Sequence, residues 1–206
     1  MQWALVAAAL ASGIVSCLAL LYLRVPTHPL RSDIACQCGK VQGHVDASAG
    51  LHFVCYCDDC QAFAEHTCKT CKSPVDDFGG TDIVQVFPSE IRILQGKQHL
   101  KIGKLTEKTK VLRVFASCCG TPMFNTSDNS AFLGLLTHTL KSDTQLKPPD
   151  YRIQAKFAKM TPPGPAARII PVEFVVAFFL RTLVFFRKRA HPSPVDDTSI
   201  PRLLFK

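Results

Sequence analysis

Cys55-Tyr56-Cys57-Asp58-Asp59-Cys60-Gln61 puts three cysteines within six residues, and the reading of this run decides the fold. Sulfurs so close in sequence do not readily bridge one another, whereas a knuckle turn can aim them at a single ion. Two more groups flank the run: Cys36-Gln37-Cys38-Gly39 before it and Cys118-Cys119-Gly120 after it. The chain carries ten cysteines in 206 residues, at 17, 36, 38, 55, 57, 60, 68, 71, 118 and 119. Most lie in C-x-C, C-x-x-C or adjacent pairs, the spacing of metal ligands rather than of a disulfide framework spread over loops. Ligation needs thiolates, so the same spacing predicts a reducing compartment. Three thiols converging on one Zn²⁺ leave its fourth position free for water or a substrate thiolate, as catalytic zinc sites do.

Around the cysteines the chain reads as mainly β. Strands are expected over Cys36–Val45, Leu51–Cys55, Asp82–Phe87, Ile91–Leu94, Val111–Phe115 and Ala131–Leu136, with turn residues between most of them. Asp58–His66 is the one internal stretch that reads as helix. These segments define a zinc-binding domain over 32–145, followed by a Pro-rich linker over 146–168. A small β-rich core of this kind is one that metal crosslinks stabilise. Lys and Arg number 24 against 16 Asp and Glu, a formal charge of +8. The basic residues are scattered and not interleaved with aromatics, so no specific nucleic-acid binding is expected.

Both ends are apolar. Trp3–Leu23 carries no charge over a length that suits a membrane helix, so 1–24 reads as a transmembrane anchor or, alternatively, a signal sequence. Arg24, Arg31 and Lys40 follow it, which places the main domain on the cytoplasmic, reducing side of a single-pass protein. Asn125-Thr126-Ser127 matches the glycosylation acceptor pattern, and a glycan there would reverse this orientation. Residues 169–190 predict a C-terminal helix with Val172, Val175, Val176, Phe179, Leu183 and Phe186 at helical spacing. Glu173, Arg181 and Pro171 argue against a second span. The helix is expected either to pack on the domain or to lie in a membrane interface, with Arg187-Lys188-Arg189 on headgroups. An irregular tail over 191–206 completes the chain.

The order of the clusters resembles the glutathione-dependent formaldehyde-activating enzyme family, which also includes centromere protein V. The matching residues are Cys36-Gln37-Cys38-Gly39-Lys40-Val41, Cys55 to Gln61, Arg113-Val114-Phe115 and Cys119-Gly120-Thr121-Pro122. Gly79-Gly80-Thr81-Asp82 and the pair Cys118-Cys119 place it nearest a subgroup with C-Y-C-D-D-C-Q and C-C-x-T-P motifs. The resemblance implies a β-tent fold with two zinc ions. One is structural, on Cys36, Cys38 and Cys119; the other is of catalytic type, on Cys55, Cys57 and Cys60. In the family pattern a cysteine stands where this chain has Ala116, so the structural site lacks a fourth ligand unless Cys118 supplies it through an altered turn. Cys68-Lys69-Thr70-Cys71 has no counterpart in the pattern.

The resemblance further implies a carbon–sulfur lyase that joins glutathione to formaldehyde. No general base is assigned, because Asp58 and Asp59 read as helix-capping or solvent-facing residues. The competing expectations are a non-catalytic, zinc-stabilised membrane-associated scaffold and a redox protein working through Cys68 and Cys71.

Overall fold

The computed structural model describes residues 2–23, 28–127, 132–189, 193–195 and 202–204. Arg24, Ala131, the side chains of Arg187, Lys188 and Arg189, and most of the 191–206 tail lie outside them.

Strand β2 (Gln42–Cys55) organises the fold, because its 14 residues serve two sets of partners. Its first half pairs antiparallel with β1 (His28–Ala35) on one edge and β4 (Ile91–Gln95) on the other. From Leu51 onward it pairs antiparallel with β3 (Thr81–Val86) and parallel with β9 (Tyr151–Ile153). The sheet then continues from β3 through β8 (Leu133–Leu136), β7 (Thr121–Ser127), β6 (Val111–Ala116) and β5 (Leu100–Lys104). The two-residue β10 (Arg202–Leu203) closes it, parallel to β5. Val45, Val84, Val114, Phe124 and Leu135 are buried between these strands, and Met123, the extra residue where the β6–β7 register shifts, is buried as well.

Three expectations change. Cys36–Val45 is not one strand: residues 36–41 form a turn, and β2 starts at Gln42. The 146–168 segment is not a free linker, since Tyr151–Ile153 lies beside β2 and the Tyr56 N–H donates to the Ile153 carbonyl at 3.1 Å. Nor is the tail wholly irregular, because Arg202–Leu203 is a strand and Leu204 is buried against Gly103. Asn125 sits inside β7 at 5% exposure, paired with Arg113 and Gly134, so this acceptor sequence offers no surface loop to a glycan.

Three helices accompany the sheet. Helix α2 (Asp58–Thr67) buries Cys60, Phe63, Ala64 and Thr67, an i, i+3, i+4, i+7 stripe. Helix α3 (Val172–Arg189) lays Phe174 edge-on against Phe53 and Tyr151, with ring centroids 5.0 and 5.5 Å apart. Val172, Val175 and Phe179 form its exposed face. Helix α1 (Gln2–Leu23) leaves Trp3, Val6, Ile14, Val15, Leu18 and Leu20 exposed. Among the described residues no helix is long and apolar enough to cross a membrane, so the anchor expectation has no structural support.

Candidate metal centres

The turn between β1 and β2 builds half of the first centre. The Cys36 N–H donates to the Val41 carbonyl at 3.0 Å, and the Gly39 N–H to the Cys36 carbonyl at 2.9 Å. Gly39 takes φ +74, a left-handed conformation that glycine adopts without strain. The Val41 N–H then points at the Cys36 sulfur, 3.3 Å away. The β6–β7 hairpin supplies the other half. Ala116 closes it, its carbonyl accepting the N–H groups of Cys119 at 3.2 Å and Gly120 at 2.7 Å. This is the altered turn that adjacent cysteines require. Ala116 itself is fully buried, and it is Cys118 that brings a sulfur beside those of Cys36 and Cys38.

Sulfur geometry tests the fit to a metal. Four thiolates about 2.3 Å from a tetrahedral Zn²⁺ stand about 3.8 Å from one another. The observed separations are Cys36–Cys38 3.6 Å, Cys36–Cys118 3.7 Å, Cys38–Cys118 3.4 Å and Cys118–Cys119 3.9 Å. All four sulfurs lie within 4.8 Å of one another, so the set fits one ion. The Thr121 hydroxyl accepts from the Gln37 N–H at 3.2 Å and stands 3.0 Å from the Cys119 sulfur. Against the cost of burial, hydrogen bonds from Thr121 and the Cys38 backbone bring the Cys119 thiol down to about 6.

Cys55, Cys57 and Cys60 form the second centre, their sulfurs also within 4.8 Å of one another and Cys55–Cys57 at 3.3 Å. Cys55 ends β2, Cys57 is the N-cap of α2 and Cys60 lies in its first turn. The positive end of the α2 dipole therefore lies at the sulfurs and favours thiolate. Asp58 and Asp59 occupy the first turn. The Asp58 carboxylate accepts only the Asp59 N–H, at 3.0 Å, and takes no part in the cluster.

Arg113, inside β6 and 5% exposed, donates from Nη1 to the Cys60 sulfur at 3.5 Å. Its guanidinium also stands over the Phe63 ring at 5.6 Å and 3.8 Å from the Asp59 carboxylate. Hydrogen bonds from Cys55 and Cys57, then the charge of Arg113, hold the Cys60 thiol well below its ordinary range. The Cys55 thiol is pushed well above it by its hydrogen bonds to Cys57 and Cys60 and by burial. Zinc on three thiolates would carry one net negative charge, which the buried Arg113 guanidinium would offset. The sequence contained Arg113 in its R-x-F motif but gave it no role. A lone cation inside an otherwise apolar strand, Val111-Leu112-Arg113-Val114-Phe115, was the signal available.

Cys68 and Cys71 join neither cluster and are disulfide-bonded, with Cα atoms 5.0 Å apart. The other eight cysteines are free. Gly79-Gly80-Thr81-Asp82 is structural: Asp76 accepts the Gly80 N–H at 2.6 Å, and Asp82 pairs with the buried His52 at 2.6 Å. A cleft of about 710 Å³ opens beside the four-cysteine centre, walled by Lys69, Thr70, Lys101, Phe115, Cys118 and Cys119. No cysteine of the three-sulfur centre lines it.

A family model matches residues 30–201, from β1 to the threshold of β10. The chain belongs to DUF6151, a family of unknown function. The DUF6151 match thus takes in both cysteine centres and the segment that joins them. It gives no support to membership of the formaldehyde-activating family itself. No curated protein matches the chain. Among solved structures, a Rhodobacter sphaeroides protein aligns over 56% of this chain and 91% of its own, at 15% identity and a TM-score of 0.39.

Proposed function

We propose that this DUF6151 chain is a zinc protein with one structural ion on Cys36, Cys38, Cys118 and Cys119, and one ion of catalytic type on Cys55, Cys57 and Cys60. The observation that carries the reading is the second cluster: three converging sulfurs, no fourth sulfur among the described residues, and Arg113 beside Cys60 to balance the charge. Zinc held there lowers the pKa of a coordinated thiol and offers positive charge beside it. The chain's own residues supply the rest. Cys55, Cys57 and Cys60 fix the donor set, the N-terminus of α2 favours its ionised form, and Arg113 offsets its charge. The reaction class is addition of a small thiol, glutathione being the reference case, to a small aldehyde, a carbon–sulfur lyase run in reverse.

The test is formation of the thiol–aldehyde adduct by zinc-loaded protein. Turnover is expected, and Cys57→Ser abolishes it while the circular dichroism of the fold persists. Loaded wild-type protein that accelerates nothing leaves the second reading, a zinc-stabilised scaffold. One observation favours that alternative: the described cleft reaches the four-cysteine centre rather than the three-cysteine one.

Membrane association belongs to the same proposal. Helix α1 has 22 residues, about 33 Å of helix, and its described apolar side chains are all exposed. Ile169 and Ile170 extend the exposed Val172, Val175 and Phe179 face of α3. Contiguous exposed apolar surface of this kind marks contact with lipid or protein. Flotation with anionic vesicles checks the membrane association: the full chain should rise with lipid and a chain lacking residues 1–24 should lose most of that binding. Equal flotation of both removes the anchor.

A further inference from the structure

The Cys68–Cys71 disulfide sits in the wrong company for a structural bridge. It is the only bridge among the described residues, in a chain whose other cysteines are free and largely gathered as metal ligands. Where thiols are kept reduced, the disulfides that do form are mostly transient, catalytic or redox-sensing. Both of its cysteines are half-buried at the surface, immediately after α2 ends at Thr67.

The four-residue loop is fastened to the four-cysteine centre at three points. Gln37, which lies between the ligands Cys36 and Cys38, donates from Nε2 to the Lys72 carbonyl and accepts the Lys72 N–H, both at 2.6 Å. The Thr70 hydroxyl reaches the Cys119 carbonyl at 3.5 Å. Gly120 lies so close to the Thr67 carbonyl and the Cys68 Cα that a Cβ there would collide with the Thr67 oxygen. Lys69 and Thr70 also form a wall of the cleft whose other wall carries Cys118 and Cys119. The loop is thus a strap across the ligand turns, drawn tight by its own disulfide.

We infer that Cys68 and Cys71 are a reversible redox couple that controls access to the four-cysteine centre. The co-reactant is a dithiol reductant. One thiolate of the dithiol attacks a sulfur of the bridge to form a mixed disulfide, releasing the other cysteine as thiolate. The second thiol of the reductant then closes its own disulfide and releases the first cysteine. Two electrons and two protons pass from the dithiol to the pair, and Cys68 and Cys71 end as thiols. Opening the four-residue ring returns conformational freedom to 68–71. The Gln37–Lys72 bonds then hold a mobile segment, and the Cys36–Cys38 turn loses its outer support. Groups that orient metal ligands in this way typically govern affinity by about tenfold or more.

The proposal rests on the zinc reading for its metal arm only, and the experiment separates the two. Full-length protein is poised in buffers of graded reduced to oxidised dithiothreitol, and each cysteine is read by alkylation and mass spectrometry. Cys68 and Cys71 are expected to interconvert reversibly in folded protein, and Cys36, buried while the pair is closed, to alkylate faster once it is open. Zinc content is measured alongside, and release to a chromogenic chelator should quicken about tenfold on reduction. Cys68→Ser/Cys71→Ser should show the fast rates in every buffer. Gln37→Ala, with the disulfide intact, should resemble reduced wild type. A bridge that resists the dithiol until the protein unfolds overturns the proposal. So do identical Cys36 rates in both states, or a slow Gln37→Ala. Protein that binds no zinc but still shows the alkylation difference refutes the zinc reading and leaves the couple standing.

Discussion

Arg113 is the single residue that most shapes the electrostatics of the three-cysteine cluster. Its charge is buried, it donates to the Cys60 sulfur and helps hold that thiol toward the ionised form, and the strand around it is apolar, so guanidinium and sulfur stabilise one another. Arg113→Met keeps the bulk and removes the charge. Zinc affinity at the three-cysteine centre should fall about tenfold to a hundredfold, with the four-cysteine centre unchanged. Competition titration against a calibrated chelator resolves the two sites, and an equal loss at both would show that the effect is only loss of fold. His138 offers a second residue-scale test, one that does not involve the metal. Burial pushes its imidazole down to about 4, and its ring donates to the Pro122 carbonyl. Its other ring nitrogen has no partner, so the neutral form is the one the fold accepts. A depressed histidine contributes stability that is present above its unfolded value of about 6.5 and is lost as pH falls toward about 4. Between pH 7 and 5 that loss amounts to about 2 kcal/mol. His138→Asn keeps a donor for Pro122 without titrating, so its stability in urea should fall less than wild type over that interval. Parallel curves would refute the assignment.

At the scale of elements, what the sequence revealed depended on whether a pattern carried its usual residue types. Helix α2 was legible because Cys60, Phe63, Ala64 and Thr67 repeat at helical spacing on a run with acidic residues in its first turn. Strand β1 was not, although it alternates strictly between buried and exposed positions. Two of its four inward residues are His28 and Ser32, polar side chains that hide the alternation. His28 is satisfied by Asp150 at 2.6 Å and Ser32 by Thr144 at 2.6 Å, partners far away in sequence that no local reading supplies. Pro122 near the start of β7 hid that strand in the same way, since proline is rare inside sheets. The β6–β7 hairpin is the element on which the altered cysteine spacing depends. Gly39 and Gly120 both take positive φ, but space exists around Gly39 and none beside Gly120, where the Thr67 carbonyl intrudes. Gly39→Ala should therefore cost about 1 kcal/mol, the strain of a left-handed alanine alone. Gly120→Ala adds a backbone collision and should cost about 3 kcal/mol or more, with zinc lost from the four-cysteine centre. Equal costs by urea denaturation would mean that α2 does not press on the hairpin.

With the proposed ions bound, the two centres would do different mechanical work across the whole molecule. Cys55, Cys57 and Cys60 lie within one turn and the start of one helix, so an ion there joins parts of the chain that are already neighbours. Cys38 and Cys118 are 80 residues apart, and an ion between them ties the β1–β2 turn to the β6–β7 hairpin at distant places in the sheet order. Closing a loop costs entropy that grows by about 0.6 kcal/mol per doubling of length. A loop of 80 residues against one of about five spans four doublings, so the long-range centre removes about 2 kcal/mol more of unfolded-state entropy. Cys118→Ser should accordingly lower Tm more than Cys57→Ser, and chelating both ions should cost little beyond the Cys118→Ser loss. The sequence displayed both cysteine groups, and the family resemblance joined Cys36 and Cys38 to Cys119, but this difference depends on strand order, which spacing does not give. Calorimetry of the two variants, each with its zinc content measured, decides it. A greater loss from Cys57→Ser would transfer the structural role to the buried three-sulfur centre and leave the cleft-facing set as the exchangeable one.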